Sequence, residues 1–286
     1  MKDTRILIDR LTIIAYDNGR FTNYLKNSGY VDIDYYTKKT FGFKQAYRGL
    51  HGESIQVDDK SKVRVDFNPN TSNLEEIKHI LSYLKYPHLT RLDVAIDYFN
   101  MDFQNIDWSC MRARKRNYWT DKYGTLETLY IGSPTSDKRF RIYNKALEMK
   151  EKEKEDEAEN HVEKWWRVEV QQRFKSNDIY SSKEYFLPNL FDIRPYKKRP
   201  DISFIDKFSE RMVLAGLLER PEELRKADKK TRAKYKKLLE EVRKRAGIAL
   251  ENPPHEIYEK EKSLLANQLT DLFSQCARLT AFKEAI

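Results

Sequence analysis

The sequence predicts an α+β protein, with a mainly antiparallel sheet in the earlier part of the chain and helices after it. Up to about residue 173, short β-branched and aromatic segments alternate with turns rich in Gly, Asn and Pro. After about residue 200, apolar residues recur at the spacing of helices instead. We therefore expect a sheet-based region over residues 1–190 and a helical, basic region over residues 191–286.

Six strands and four helices are predicted within this outline. The strands are Ile6–Ala15, Val63–Phe67, Arg91–Tyr98, Thr125–Ile131, Phe140–Tyr143 and Lys164–Arg173. The helices are Leu74–Tyr86, Ser203–Leu218, Pro221–Arg245 and, after the break at Asn252-Pro253-Pro254, Pro254–Ala285. Residues 147–160 are rich in acids, which favours a solvated helix or loop.

The charge balance predicts a polyanionic partner. The 286-residue chain has 54 Lys and Arg against 45 Asp and Glu, a net charge of +9. Residues 226–245 hold ten of the basic residues and only three acids, so much of the excess lies in one predicted helix. Nucleic acid is favoured over an anionic membrane, because neutralising phosphates releases counterions.

The sequence favours a cytoplasmic location and no membrane anchor. No apolar run approaches the roughly 18 residues of a spanning helix, and residues 1–5 lack the apolar core of a signal peptide. Cys110 and Cys276 stand far apart without a CxxC pattern, so both are expected to be plain thiols.

Three acids on two predicted strands suggest a metal site. Asp93 and Asp97 alternate with apolar residues on one strand, and Glu169 lies on another, in Trp166-Arg167-Val168-Glu169-Val170. The two aspartates would be about 13 Å apart, so one of them is expected to share an ion with Glu169 across neighbouring strands. Oxygen ligands select Mg²⁺ or Mn²⁺. The alternative is an exposed face on which Asp93 and Glu169 pair with Arg91 and Arg167.

Common catalytic motifs are absent from the sequence. The five histidines show neither H-x-H nor HExxH spacing, which argues against zinc hydrolases and paired-histidine relaxases. Neither a phosphate-binding glycine loop nor a G-x-S-x-G elbow occurs, so a nucleotide-driven motor, a Rossmann enzyme and a serine hydrolase are all disfavoured.

Two further segments combine aromatic and basic residues. Tyr118, Trp119 and Tyr123 follow a basic run over residues 112–116, a plausible surface for single-stranded DNA, although such aromatics more often pack a sheet. Arg139, Arg141, Tyr143 and Lys145 are expected on one face of a strand, in position to bind phosphates or to form salt bridges with the acidic strands.

Several segments together resemble the Rep_trans family, the replication initiators of Gram-positive rolling-circle plasmids of the staphylococcal resistance-plasmid type. They occur in the family's order across most of the chain. They are Asp66-Phe67-Asn68-Pro69-Asn70, residues 90–97, Tyr130-Ile131-Gly132-Ser133, residues 139–145, Trp166-Arg167-Val168-Glu169-Val170 and Thr231-Arg232-Ala233-Lys234-Tyr235-Lys236.

This resemblance implies an origin-specific nickase. Such initiators act as dimers, bind an inverted repeat in double-stranded plasmid origin DNA and expose a single strand. A tyrosine attacks one phosphodiester, which leaves a 5′-phosphotyrosine and a free 3′ hydroxyl, and the strands are rejoined at termination. A host helicase of the PcrA type is then the expected partner. The family's sequence-selective determinant lies near the C-terminus, here from about Lys226 onward.

By its distance from the tryptophans of the WRVE strand, Tyr180 is the best match to the family's nucleophile. The fit is off by about one position, Tyr185 is the reserve candidate, and a third interpretation is that both are ordinary exposed tyrosines. A phenol with a reference pKa of about 10 needs a nearby cation or base, which a metal ion and basic side chains can supply. The ion would polarise the scissile phosphate, and Arg141, Lys145 or Arg167 could hold its non-bridging oxygens.

Two other classes of function stay open at this point. A DNA-binding regulator would keep the fold and cut nothing. An RNA-binding protein could use the same basic and aromatic surfaces, because base stacking serves either polymer.

Overall fold

A computed structural model describes residues 3–17, 19–33, 42–110, 115–151, 164–174, 187–248 and 250–274. Tyr180, Tyr185 and Cys276 lie outside these ranges, as do residues 112–114 of the basic run.

Ten strands form one antiparallel sheet in the order β2-β3-β4-β5-β1-β6-β11-β10-β9-β8, and β7 and β12 form a two-stranded sheet. The strands are β1 Thr4–Asp17, β2 Val31–Asp32, β3 Gln45–Arg48, β4 Ser54–Val57, β5 Lys62–Phe67, β6 Leu84–Phe99, β7 Ile106–Cys110, β8 Arg116–Thr120, β9 Leu126–Ile131, β10 Lys138–Asn144, β11 Trp165–Arg173 and β12 Ile193–Lys197. The long central strands β1, β6 and β11 are adjacent in this order.

The described helices are α1 Phe21–Asn27, α2 Leu74–Ser82, α3 Lys145–Glu151, α4 Phe208–Glu219, α5 Lys229–Arg245 and α6 Pro254–Ser274, with a 3₁₀ helix at Pro221–Lys226. Local sequence explains where two of them begin. Asn73 accepts hydrogen bonds from the backbone N–H groups of Glu75 and Glu76 at the start of α2. Asp228 does the same for Lys230 and Thr231 at the start of α5.

The larger core covers one face of the ten-stranded sheet. Alternate residues of the central strands, such as Val94, Ile96, Val168 and Val170, are fully buried there. Helices α2 and α6 contribute to the same cluster, α6 through Leu265, Leu269, Leu272 and Phe273. These four residues of α6 are therefore part of the core, whereas Leu264 on the same helix is exposed.

Helices α4 and α5 build a second, smaller core. Leu214 and Leu217 of α4 pack with Leu239 and Val242 of α5, and Ile205 completes the cluster. The opposite side of α5 is exposed, including Lys236, Lys237 and Lys244. The basic helix is thus held by a narrow apolar stripe and presents its cations to solvent.

The α+β prediction is confirmed, and each of the six predicted strands is present with shifted ends. The helix predicted over Leu74–Tyr86 ends at Ser82, because Leu84 and Lys85 pair with β1 and extend β6. Strands β2, β3, β4, β7, β8 and β12 were not predicted.

The boundary at residue 190 stays a prediction. The structure shows that β12 pairs with β7 and that α6 shares the larger core, so chain segments on both sides of that position contact each other. Within the described ranges, no helix has both the length and the apolar character needed to cross a membrane.

Candidate active site on the polar face of the sheet

The face of the sheet opposite the larger core carries rows of polar residues, because directly opposed residues in antiparallel strands share a face. We call this surface the polar face. Its first row is Arg5, Asp97, Arg167, Tyr143, Thr128 and Trp119; its second is Leu7, Ala95, Glu169, Arg141, Tyr130 and Asn117; its third includes Arg10, Asp93, Gln171 and Arg139.

The three predicted acids meet on this face. Strand β11 lies beside β6, and Glu169 is directly opposite Ala95, midway between Asp93 and Asp97. The expected proximity of Glu169 to the strand aspartates is therefore observed. The exposed face of the alternative interpretation is not observed, because Asp93, Asp97 and Glu169 are all buried.

Asp97 is fully engaged by two arginines. Arg167 donates from Nε to Oδ1 at 2.6 Å and from Nη2 to Oδ2 at 3.0 Å. Arg5 Nη2 lies 2.9 Å from Oδ2 of the same carboxylate. Burial alone would raise the pKa of Asp97, but the hydrogen bonds from Arg167 and Arg5 hold that pKa below its ordinary value. Both carboxylate oxygens of Asp97 are thus used by the protein itself.

Asp93 has its own arginine. Arg91 Nε donates to Asp93 Oδ1 at 2.8 Å, which matches one half of the ion-paired alternative. The other half is not observed, since Arg167 pairs with Asp97 and Asp9 rather than with Glu169. Burial raises the pKa of Asp93 despite the bond from Arg91.

Glu169 is the acid without a direct partner among the described residues. Burial, reinforced by the negative charges of Asp9 and Asp93, raises the pKa of Glu169 to about 8, although Arg141 and Arg167 oppose the shift. A buried carboxyl group beside two other acids is a group that a cation would stabilise in its charged form.

Asp9 is a site residue that the sequence reasoning missed. A β-bulge shifts the register of β1 against β6 between Ile8 and Arg10. Asp9 Oδ1 accepts a hydrogen bond from Arg167 Nη1 at 2.7 Å, and the negative charge of Asp9 acts on Glu169. A signal was present in the sequence, because the apolar alternation changes phase here, with Ile6 and Ile8 before the change and Leu11 and Ile13 after it.

The predicted cations occupy the next strand and helix. Arg141 on β10 lies opposite Glu169, with its guanidinium carbon 3.8 Å from the centroid of the Tyr143 ring. Lys145 is the first residue of α3 rather than part of the strand, and its Nζ lies 2.6 Å from Glu148 Oε2. Arg141 Nη2 is 3.4 Å from the other oxygen of Glu148, so this acid links the two cations.

Tyr143, although central on the polar face, is poorly suited to nucleophilic attack. Its side chain is buried between Arg141 and Arg167, and burial raises its pKa. A neutral, enclosed phenol can neither reach a phosphate nor ionise easily. Tyr180 and Tyr185, the predicted nucleophile and its reserve, lie outside the described residues.

The donor chemistry of the acids fits a hard divalent cation, but the side chains do not form a finished site. In the part of the chain that the structure describes, no three His, Cys, Asp or Glu side chains are arranged to hold an ion. Glu169, with Asp93 and Asp9 beside it, offers oxygen ligands and a carboxyl group that lacks a direct partner among these residues. Asp97 fits less well, because Arg5 and Arg167 occupy both of its oxygens.

The fold and polar face define an antiparallel-sheet protein with buried acids and arginines on three neighbouring strands and a separate basic helix. The family model described as replication initiation factor, Rep_trans, matches residues 105–275. The chain therefore belongs to the Rep_trans family.

Curated relatives of moderate sequence identity agree with this family assignment. Two proteins named replication initiation protein, both from Staphylococcus aureus, are 32% and 30% identical to this chain over 196 residues. Each match covers 66% of this chain and 59% of the relative. Among solved structures, a rolling circle replication initiator protein from Geobacillus stearothermophilus matches with a TM-score of 0.40 and 19% identity, covering 59% of this chain and 74% of the other.

Proposed function

We propose that this protein initiates rolling-circle replication of a plasmid by nicking one strand at the double-strand origin and later rejoining it. The observation that carries the proposal is the meeting of Asp93, Glu169 and Arg141 on three adjacent strands of one face. These residues come from separate segments that resemble the family, two of which, those with Arg141 and Glu169, lie inside the range matched by the family model.

The nucleophile in this proposal is the phenolic oxygen of Tyr180. That oxygen forms a bond to phosphorus, the bond from phosphorus to the 3′ oxygen breaks, and the 3′ oxygen takes a proton from solvent as the phenol releases its own. The phosphotyrosine conserves the bond energy for rejoining, so ATP is unnecessary. Tyr185 is the reserve nucleophile.

The chain between Glu169 and Tyr180 is long enough for Tyr180 to act as the nucleophile beside Glu169. Six residue steps separate Tyr180 from Phe174, and that length spans at most about 20 Å when extended. Five steps separate Glu169 from Phe174, a rise of about 17 Å along a strand. The connection is therefore long enough for a phenol at position 180 to return to the level of Glu169.

Arg141 is the cation best placed to hold a non-bridging phosphate oxygen. It lies opposite Glu169 on the polar face, and its contact with Glu148 is long, at 3.4 Å. Lys145 can assist from the start of α3 if Glu148 releases it. Arg167 is committed to Asp97 and Asp9, so its role is to orient these carboxylates around Glu169.

Glu169 and Asp93 are the proposed ligands of Mg²⁺ or Mn²⁺, with Asp9 beside them. Asp97, which was also predicted to be a ligand, is assigned an outer position, where it fixes Arg167. When bound, the ion supplies Lewis-acid polarisation of the scissile phosphate. The negative charges that raise the pKa of Glu169 are the protein's own contribution to attracting a cation.

The remaining partners are proposals drawn from the family. Helix α5 carries exposed cations on the side away from the smaller core, which suits contacts to duplex origin DNA. A homodimer, a host helicase of the PcrA type and a cytoplasmic location complete the expected setting.

A supercoiled plasmid that bears the cognate origin tests this function. With Mg²⁺ or Mn²⁺, the protein should convert the plasmid to an open circle with protein attached covalently at the 5′ end. A regulator that only binds DNA would retard the plasmid without nicking it, and an RNA-binding protein would prefer RNA to origin DNA. Either of these results would contradict the proposal.

A further inference from the structure

The hairpin at the β8 edge of the sheet brings an exposed tryptophan onto the polar face. Strand β8 is the terminal strand of the sheet, and Trp119 pairs with Thr128 in the row that includes Tyr143, Arg167 and Asp97. The Trp119 side chain is 63% exposed, whereas the other three tryptophans of the chain are buried. Among the described residues this indole has no stacked partner ring, so it is a platform on which a base could stack.

Strand alternation separates Tyr118 from Trp119. Tyr118 pairs with buried Leu129 and so points to the opposite face, where its hydroxyl donates to Asp107. This division splits the aromatic cluster that the sequence suggested as a single surface. Trp119 belongs to the face of the candidate active site, and Tyr118 to a structural network with Arg116 and Tyr196.

Cations lie between Trp119 and the acids. The Arg139 guanidinium carbon is 3.9 Å from the centroid of the Tyr130 ring, and its Nε has no hydrogen-bond partner among the described residues. Arg141 occupies the neighbouring row. Glu127, the acid of β9, alternates onto the opposite face from Thr128 and Tyr130. The surface between Glu169 and the sheet edge is therefore positively charged and aromatic.

The distances suit a short stretch of nucleic acid. Three interstrand steps separate β11 from β8, which is about 14 Å at roughly 4.8 Å per step. A strand that leaves Glu169 would pass Arg141 and Arg139 before it reaches Trp119. Cations that contact phosphates, followed by an aromatic that stacks on a base, are the usual elements of a single-strand groove.

We propose that the polar face between Glu169 and Trp119 is a binding path for single-stranded DNA, with Trp119 stacking on an unpaired base at the sheet edge. Arg139 and Arg141 contact the phosphates along this path. This inference rests on the proposed nicking function, because that function places the scissile phosphate beside Glu169, where the path begins. Duplex DNA is not expected to bind along this path, because paired bases are already stacked on one another and offer no free face to the indole.

Intrinsic fluorescence offers a direct test on the whole protein without metal, where nicking plays no part. An oligothymidylate of about 12 nucleotides should quench the tryptophan emission of the wild type, because Trp119 is the exposed tryptophan. Trp119→Phe should abolish most of this quenching while keeping most of the affinity measured by anisotropy of a labelled oligonucleotide. Trp119→Ala should weaken that affinity about tenfold or more.

A matched control separates stacking from a general loss of surface. Phe208 on α4 is 68% exposed and belongs to a different part of the fold, so Phe208→Ala should leave the affinity for the oligonucleotide unchanged. Equal affinity of Trp119→Ala and wild type would overturn the inference, as would Trp119-dependent binding of a duplex of the same length. A change in the sedimentation of the free Trp119→Ala protein would also overturn it, because Trp119 would then lie between copies of the chain.

The outcomes also separate this inference from the proposed function. If the plasmid is never nicked but oligothymidylate binding depends on Trp119, the binding path stands and the nickase fails. If the plasmid is nicked and Trp119→Ala binds oligothymidylate as the wild type does, the nickase stands and the path is wrong.

Discussion

Arg167 and Asp97 form a buried, two-pronged ion pair between the neighbouring strands β11 and β6, with hydrogen bonds of 2.6 Å and 3.0 Å. Arg167 also reaches Asp9 on β1 at 2.7 Å, so one guanidinium ties three central strands together beside Glu169. The position of the proposed metal ligands therefore depends on a pair that is itself buried.

Removing Arg167 should destabilise the protein strongly. Arg167→Ala leaves Asp97 buried without its main partner, and the expected loss is about 3–5 kcal/mol in the free energy of unfolding. Urea denaturation measures the loss. The matched control is Arg245→Ala, which removes an exposed pair with Glu241 and should cost no more than about 1 kcal/mol. Similar losses for the two variants would show that the buried pair contributes little.

Stability should fall with rising pH because of Glu169. Its folded-state pKa is raised to about 8 from an ordinary value of 4.5, so the unfolded chain releases this proton first as pH rises. The contribution of Glu169 is fully present below about pH 4.5 and is lost progressively up to about pH 8. In Glu169→Gln the side chain at this position is neutral at every pH. In metal-free buffer the variant should therefore have a higher thermal midpoint than the wild type, by a margin that grows from pH 5 to pH 8. A difference that does not vary with pH would contradict this assignment.

Divalent ions should bind through Asp93 and not through Asp66. Both aspartates are buried and paired with arginine, but Asp66 lies on β5, bonded to Arg10 and Thr12 and away from Glu169. Asp93→Asn should weaken Mn²⁺ binding at least about tenfold, measured by electron paramagnetic resonance of the free ion. Asp66→Asn should bind Mn²⁺ as the wild type does. Equal weakening in both variants would point to a general electrostatic effect.

Helix α5 should contribute phosphate contacts to duplex binding. Lys236 and Lys237 are exposed on this helix. Replacing either by Gln should weaken binding to origin and unrelated duplex alike, and should reduce the slope of log affinity against log salt by about one. Lys60→Gln, an exposed lysine in the turn between β4 and β5, is the control and should leave the slope unchanged. An unchanged slope in the α5 variants would remove this helix from the interface.

Alternation along single strands was predictable from sequence, and pairing between distant strands was not. Leu92, Val94 and Ile96 correctly placed Asp93 and Asp97 on one face. The register that sets Glu169 opposite Ala95 and Arg5 opposite Asp97 joins residues far apart in the chain, which local periodicity does not encode. Burial of Asp97 was missed for the same reason, since its arginine partners, Arg5 and Arg167, come from β1 and β11.

The missed strands have local causes. Strand β12 contains Pro195 and two basic residues, Arg194 and Lys197, a composition typical of a turn, but it forms a two-stranded ladder with β7. Strand β8 has an exposed pattern and little apolar content beyond its aromatics, so its place at the sheet edge follows only from pairing with β9. That pairing also assigned Trp119 and Tyr118 to opposite faces.

Peptide mapping of the covalent DNA adduct determines directly whether Tyr180 is the nucleophile. An oligonucleotide that carries the origin nick site is incubated with wild-type protein and Mn²⁺, the adduct is digested, and the modified peptide is sequenced by mass spectrometry. A nucleotide should be attached to Tyr180, and Tyr180→Phe should form no adduct while it retains duplex binding. Attachment to Tyr185 would move the nucleophile to the reserve position. An adduct on a residue outside residues 175–186 would exclude both proposed nucleophiles. The absence of any adduct from a protein that binds its origin would exclude covalent nicking.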